Sequence, residues 1–483
     1  MKHRFSVIVA GALLTACASW AQQSTPLMSL NVVAVDGRGQ PVTDLTSADF
    51  EVSDGGKNQP IAFFRPAPAP AVQQRKSPGT NEYSNRGGAA MTHATLMIFD
   101  LLNGDTADRG VTWNEIARAL EARESSDFLY LYLLTREGKL YPVHPLPESP
   151  ADIHPADVPW TKQVKSQLDQ AMKAVNRLRL GGIVEDDRVR MTYKALDQVV
   201  SGLQMLPGRK NIVWVSRGVP ITIRLETGAD QIDYEPLLHK LSDHCLLAKV
   251  SIYSVNQSSS ATPSAGELAS VDTLTQIANL TGGRMYPTND AAGRAVDLAM
   301  EEWRASYTVA YRPGDENWDG KSHKIRVTCT RRGVNLQFPQ SYNAERPVAT
   351  DRMRNALQSA VTSPFDYPEI GMRVAVSPGA QPATAHFLAH VDPADVMLTD
   401  RGERSVTQLV VVFVDFTAKG PKAVSQPAAL DIGMTKAQQE AAAKDGIPVS
   451  QDRPVGQDIT RIRLIMYDPA TNLLGSATVP VSK

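Results

Sequence analysis

Between Thr95 and about Ala305 the chain alternates strand-like and helix-like segments, and this alternation restricts the fold more than any other feature. Strand candidates are Thr95–Phe99, Phe128–Leu134, Leu140–Val143, Asn211–Val215, Val250–Val255 and Arg284–Tyr286. Helix candidates are Trp113–Ala122, Thr161–Leu178, Val189–Leu206, Tyr234–Ala248, Val271–Leu280 and Ala291–Ala305. In the third helix Leu196, Val199, Val200, Leu203 and Leu206 share one face at helical spacing. Such alternation predicts a mostly parallel, doubly wound sheet with helices on both faces. The first strand runs straight into Asp100, which places that carboxylate at the ligand-binding edge of the sheet.

The flanks read differently. Residues 27–66 carry short strands and turns, as in Met28–Val35 and Asp49–Val52, but about 40 residues is the lower limit for a self-sufficient core. Tyr307–Tyr311, Lys324–Cys329 and Val334–Phe338 read as antiparallel strands. Residues 27–66 are expected to pair with 306–345, so that the α/β domain, 94–305, is inserted in a small β-sandwich. Residues 67–93, rich in Pro, Ala, Gln, Ser, Asn and Gly, read as a flexible linker. A linker helix is expected over 350–362. Residues 366–483 are strand-rich, with one helix that starts on the capping box Thr435/Gln438 and stops at Gly446. They fit an immunoglobulin- or fibronectin-like sandwich.

The N-terminus has a basic start, then an apolar run from Phe5 to about Ala16, too short to span a bilayer. It reads as an export signal. Two exits compete. Ser19-Trp20-Ala21 suits cleavage before Gln22, giving a signal of 1–21. Leu14-Thr15-Ala16-Cys17 resembles a lipobox, giving a signal of 1–16 and a lipid anchor at Cys17. The expected location is periplasmic, outer-membrane-anchored or extracellular, with membrane contact only through that anchor. A net charge of −1 with no long basic run argues against nucleic acid as a partner. Cys245 and Cys329 are read as buried free thiols, although a disulfide is allowed in an exported chain.

Several motifs together carry a resemblance. They are Val42-Thr-Asp-Leu-Thr-Ser-Ala-Asp-Phe-Glu-Val-Ser-Asp-Gly-Gly56, Pro207-Gly-Arg-Lys-Asn-Ile-Val-Trp-Val-Ser-Arg-Gly-Val-Pro220, Thr281-Gly-Gly-Arg284, Tyr307-Thr-Val-Ala-Tyr-Arg-Pro313 and Asp319-Gly-Lys-Ser-His-Lys-Ile-Arg-Val327. In order and spacing they resemble the secreted bacterial, acidobacterial-type, von Willebrand factor A-related proteins. The resemblance implies a von Willebrand factor A fold, export and a binding role. It also implies an edge site where an Asp and two serines of a first loop, a Thr of a second and an Asp of a third hold a divalent cation. Mg²⁺ suits such an oxygen shell.

Against that pattern Asp100 matches the first ligand, whereas Leu102 and Gly104 stand at the serine positions. Asn103 and Asp105 carry oxygens at the wrong spacing. Thr192 lies near the second loop. Ser216-Arg217 replaces the third-loop Asp, and a guanidinium there opposes a cation. One reading is a rearranged Mg²⁺ site of Asp100, Asp105 and Ser216. The sequence favours the other, a metal-free edge with no cofactor, where Asp100 caps a turn or pairs with Arg217. Asn103, Thr192 and Arg217 then line ligand-binding loops for a protein or cell-surface ligand. No His-Glu-x-x-His, Gly-x-Ser-x-Gly or phosphate-loop pattern occurs, and Ser216 has no identifiable His partner. His386 and His390 lie roughly 13 Å apart along one strand, too far to share a metal ion. A non-enzymatic binding module is therefore expected, with an assembly subunit of an envelope complex as the alternative and a hydrolase third.

Overall fold

The computed structural model describes residues 27–67, 82–86, 91–104, 128–148, 185–224, 231–258, 265–288, 291–314 and 317–481, and single helical positions at 114, 117, 166 and 170. The export signal, Cys17, Asp105 and most of the two expected helices Trp113–Ala122 and Thr161–Leu178 lie outside the described residues. The described architecture mixes α/β and β units, with strands in several sheets.

The central sheet is built from β1 (His93–Asp100), β2 (Leu129–Leu134), β3 (Leu140–His144), β4 (Arg209–Ser216), β5 (Val250–Asn256) and β6 (Met285–Tyr286). Its spatial order is β3-β2-β1-β4-β5-β6. All neighbours are parallel except β3, which runs antiparallel to β2 on the edge. Every residue of β1 and of β4 is buried, as expected of parallel strands covered on both faces. On one face, Leu96, Ile98, Ile212 and Trp214 pack against helices α1 (Glu185–Gln204), α2 (Glu235–Ala248) and α3 (Ala265–Thr281). The apolar stripe Val189, Leu196, Val199, Val200 and Leu203 of α1 forms its half of that core. On the other face, Met97, Phe99, Val213 and Val215 meet α4 (Ala292–Glu301). The chain winds outward from β1 to β3, then returns to the far side of β1 with β4. The strand order thus reverses between β1 and β4, the place where open α/β sheets form a ligand crevice beyond the carboxyl ends of their strands. Asp100 and Ser216 are the last residues of these two strands.

Two four-stranded sheets flank this domain in sequence. Met28–Asp36 lies between Val334–Gln337 and Ser306–Tyr311, with Ile61–Arg65 outermost. Phe50–Asp54 pairs with Ser322–Cys329 in the second. Leu30, Val32, Phe50, Val52, Tyr307, Val309, Ile325 and Val327 share one core between them. In the C-terminal region, Met372, Val374, Phe387 and Val391 of one sheet face Leu409, Val411, Phe413, Leu464 and Met466 of another. Helix Ala349–Thr362, expected as a linker, instead covers the outer side of that second sheet, with Leu357 and Ala360 against Val412 and Ile465. Both Cys245 and Cys329 are free thiols, Cys245 buried and Cys329 half-buried.

The expected linker 67–93 differs in one stretch. Glu82–Ser84 is a strand on the edge of the C-terminal sheet, in antiparallel register with Arg373–Ala375. Asn85 then donates to the carbonyls of Tyr367 and Ile370 and accepts from Met372 N. Arg86 reaches the carbonyls of Pro368 and Glu369 and the carboxylate of Asp395. A three-residue strand is too short to show a periodicity, and its Asn and Arg read as loop composition. Their polarity is used here on backbone groups of a distant segment.

Candidate functional site

Asp100 ends β1 with no exposure to solvent, and its carboxylate is enclosed by five donors. Oδ1 accepts from the backbone N–H of Leu102 at 3.0 Å and of Asn103 at 2.9 Å, which turns the chain sharply off the strand. Oδ2 accepts from Asn103 Nδ2 at 2.7 Å, Ser216 Oγ at 2.7 Å and Trp214 Nε1 at 3.1 Å. Ser216 Oγ accepts in turn from Gly218 N at 2.9 Å. Gly218 adopts φ +77°, and a Cβ on it would lie 2.3 Å from the Ser270 carbonyl, so this turn requires glycine.

Thr192, on α1, completes the cluster. Its hydroxyl donates to the Arg188 carbonyl at 2.9 Å and accepts from Asn103 Nδ2 at 2.8 Å. Asn103 therefore joins the β1 loop to α1. Arg217 takes no part: its Nη2 donates to Ser258 Oγ at 3.4 Å, and all five donors to Asp100 are uncharged. Of the two metal-free arrangements read from sequence, the turn cap forms and the Asp100–Arg217 pair does not. Burial pushes the Asp100 carboxyl above its usual range, and the hydrogen bonds from Asn103, Ser216 and Trp214 pull it partly back.

These residues do not fit a divalent cation. A carboxylate offers about four lone-pair sites, and five donors fill them. Leu102 is buried in the apolar core of α1. Gly104 carries no side-chain oxygen, and a Cβ on it would lie 2.7 Å from Gln257 Oε1 and 3.1 Å from the Asp100 carbonyl, so a side-chain ligand there would require Gln257 to move. Asp105 lies outside the described residues.

Two further residues at this edge, Trp214 and Gln257, escaped the sequence reading, and a third, Asn103, was given the wrong polarity. For Trp214 strand parity carried the signal: it lies two residues before Ser216, hence on the same side of β4. Asn103 was seen as an oxygen donor, whereas its amide nitrogen makes the contacts. Gln257 is fully buried, and neither of its polar ends has a hydrogen-bond partner; Asn103 Oδ1 shares that state. The histidines are dispersed. His386 bonds Asp452 on the neighbouring strand, and His244 bonds Asp197.

A second buried carboxylate sits in the sandwich formed by the flanks. Asp54 Oδ2 accepts from Tyr342 Oη at 2.9 Å, Asn317 Nδ2 at 2.9 Å and Tyr311 Oη at 3.1 Å. His323 Nδ1 lies 3.1 Å from Asp54 Oδ1, and its Nε2 lies 3.1 Å from Asp319 Oδ1.

No family model matches the chain, and no curated protein matches it. Among solved structures it is similar to the PilB minor pilin from Streptococcus sanguinis, at 11% identity and a TM-score of 0.29, over 44% of this chain and 62% of the pilin. An alanine mutant of that pilin gives 13% identity and a TM-score of 0.30, over 45% and 62%. The match thus spans less than two thirds of the pilin. Likeness at this level carries no functional argument.

Proposed function

We propose that this chain is an exported, non-enzymatic binding protein whose α/β domain is of the von Willebrand factor A type. The single observation that carries the reading is the reversal of strand order between β1 and β4, with Asp100 and Ser216 ending those strands beside the loops of Asn103 and Arg217 and beside Thr192, which lies within helix α1 rather than on a loop. Open α/β sheets bind at such a crevice. The motifs from Val42 to Val327 support the family, and the N-terminal pattern supports export. The ligand expected at this edge is a protein or a cell-surface group. Ser216 is a poor nucleophile here, because it is fully buried and no histidine is among its partners.

The test is capture from envelope extract by the chain and by Arg217→Glu, both with a metal chelator present. A protein retained by the first and lost by the second supports binding at this edge. Equal capture by both moves the binding surface elsewhere. A constant stoichiometric complex recovered from native membranes favours the assembly-subunit alternative.

A further inference from the structure

We infer that the side-chain amide of Asn103 takes the place of a divalent cation at the carboxyl edge of the central sheet. A cation at such an edge does one mechanical job: it ties oxygens from separate elements to a common centre. Here Asn103 Nδ2 does this with two N–H bonds, to Asp100 Oδ2 at 2.7 Å and to Thr192 Oγ1 at 2.8 Å. The amide orientation follows from its partners. Thr192 Oγ1 spends its proton on the Arg188 carbonyl, and Asp100 is held by the donor-only indole of Trp214, so both atoms can only accept from Asn103. The flipped amide would set Oδ1 against two acceptors. Three of these side chains, on Asp100, Thr192 and Ser216, are fully buried, and Asn103 is 5% exposed, so the bridge is shielded from competing water.

The bridge explains the departures from a cation shell together. Leu102 is free to join the apolar core, and Gly104 is free to press its backbone against Gln257, because neither supplies an oxygen. The consequence is a binding edge set permanently in one arrangement, with no switching by metal supply. The inference rests on reading this edge as the binding edge, but its test needs no ligand, so the two fail separately.

The test is thermal unfolding of the full chain in chelator and in millimolar Mg²⁺, Mn²⁺ or Ca²⁺, with calorimetric titration alongside. The natural chain is expected to show no cation-dependent shift. Asn103→Ala is expected to lower the midpoint by several degrees in every buffer. Asn103→Asp sets two carboxylates together between Thr192 and Ser216. It is expected to be unstable in chelator and to regain about 3 °C or more on saturation with a cation. A submillimolar cation site in the natural chain that is lost in Asp100→Ala overturns the inference. So does an Asn103→Ala midpoint equal to that of the natural chain, or a folded Asn103→Asp indifferent to cations. Should Asn103→Asp fail to fold, the natural chain and Asn103→Ala decide the matter.

Discussion

Asp100 and Asp54 are both buried carboxylates, yet they are held differently: backbone and side-chain groups hold Asp100, and side chains alone hold Asp54. Four of the five donors around Asp100 can only donate, and three of them, the N–H groups of Leu102 and Asn103 and the indole of Trp214, serve Asp100 alone. They have no second use once the acceptor is gone. The donors around Asp54 are more adaptable: Tyr311 and Tyr342 carry rotatable hydroxyls that also accept, and His323 keeps Asp319 as a second partner. The reach differs too. Asp100 organises its own loop and the neighbouring strand. Asp54 joins residues 257 to 288 positions away, across the whole inserted domain. A locally fixed carboxylate sets the shape of an edge, and a remotely fixed one closes a split unit.

This contrast predicts an order of effects. Asp100→Ala should cost about 3 kcal/mol or more in urea unfolding, because it strands several buried N–H groups. Asp54→Ala should cost less, about 2 kcal/mol, because its tyrosines can turn to each other or to water. The reverse order would break the comparison. Gly218→Ala, which pushes a Cβ into the Ser270 carbonyl at positive φ, should cost about 1.5 kcal/mol, unless the turn behind Ser216 shifts as a unit.

Lys210 sharpens the contrast from the cationic side. It is 4% exposed on β4, donates to the Leu206 carbonyl, and burial pulls its pKa from 10.5 down to about 7. Glu369 draws it up and Lys249 draws it down. Between those two pKa values the unfolded chain holds the extra proton. This group therefore adds stability as pH rises above about 7 and adds no slope below it. The gain should be about 1 kcal/mol between pH 7 and 8, and Lys210→Met should abolish it. An identical pH slope in both chains would show that Lys210 keeps its proton on folding.

The site and the fold were legible to different depths. The apolar run Thr95–Phe99 marked the central strand, and Asp100 at its end marked the edge, because burial on both faces leaves an uninterrupted apolar signature. The face Leu196, Val199, Val200 and Leu203 marked α1 for the same kind of reason. The start of α3 was less visible: the helix already includes Ala265, six residues before the expected Val271, in a stretch of small and polar residues with little periodicity. The partners of Asp100 were hidden because they depend on register. Only the pairing of Ile98 with Trp214 brings that indole and Ser216 to the same side as Asp100. Composition also could not tell whether Asn103 would present oxygen or nitrogen, since that choice is made by the acceptors around it.

The strand Glu82–Ser84 has a consequence for how the molecule comes together. It completes the edge of a sheet whose other strands are synthesised almost 300 residues later; the bond from Met372 N to Asn85 Oδ1 alone spans 287 residues. Long-range closures of this kind are slow and late, because loop entropy is lost before any contact repays it. The early segment must stay undocked while the α/β domain forms, and the C-terminal sheet lacks an edge until that segment arrives. Ribosomal emergence therefore cannot finish this sheet piece by piece: its first strand waits for partners that end at Pro454.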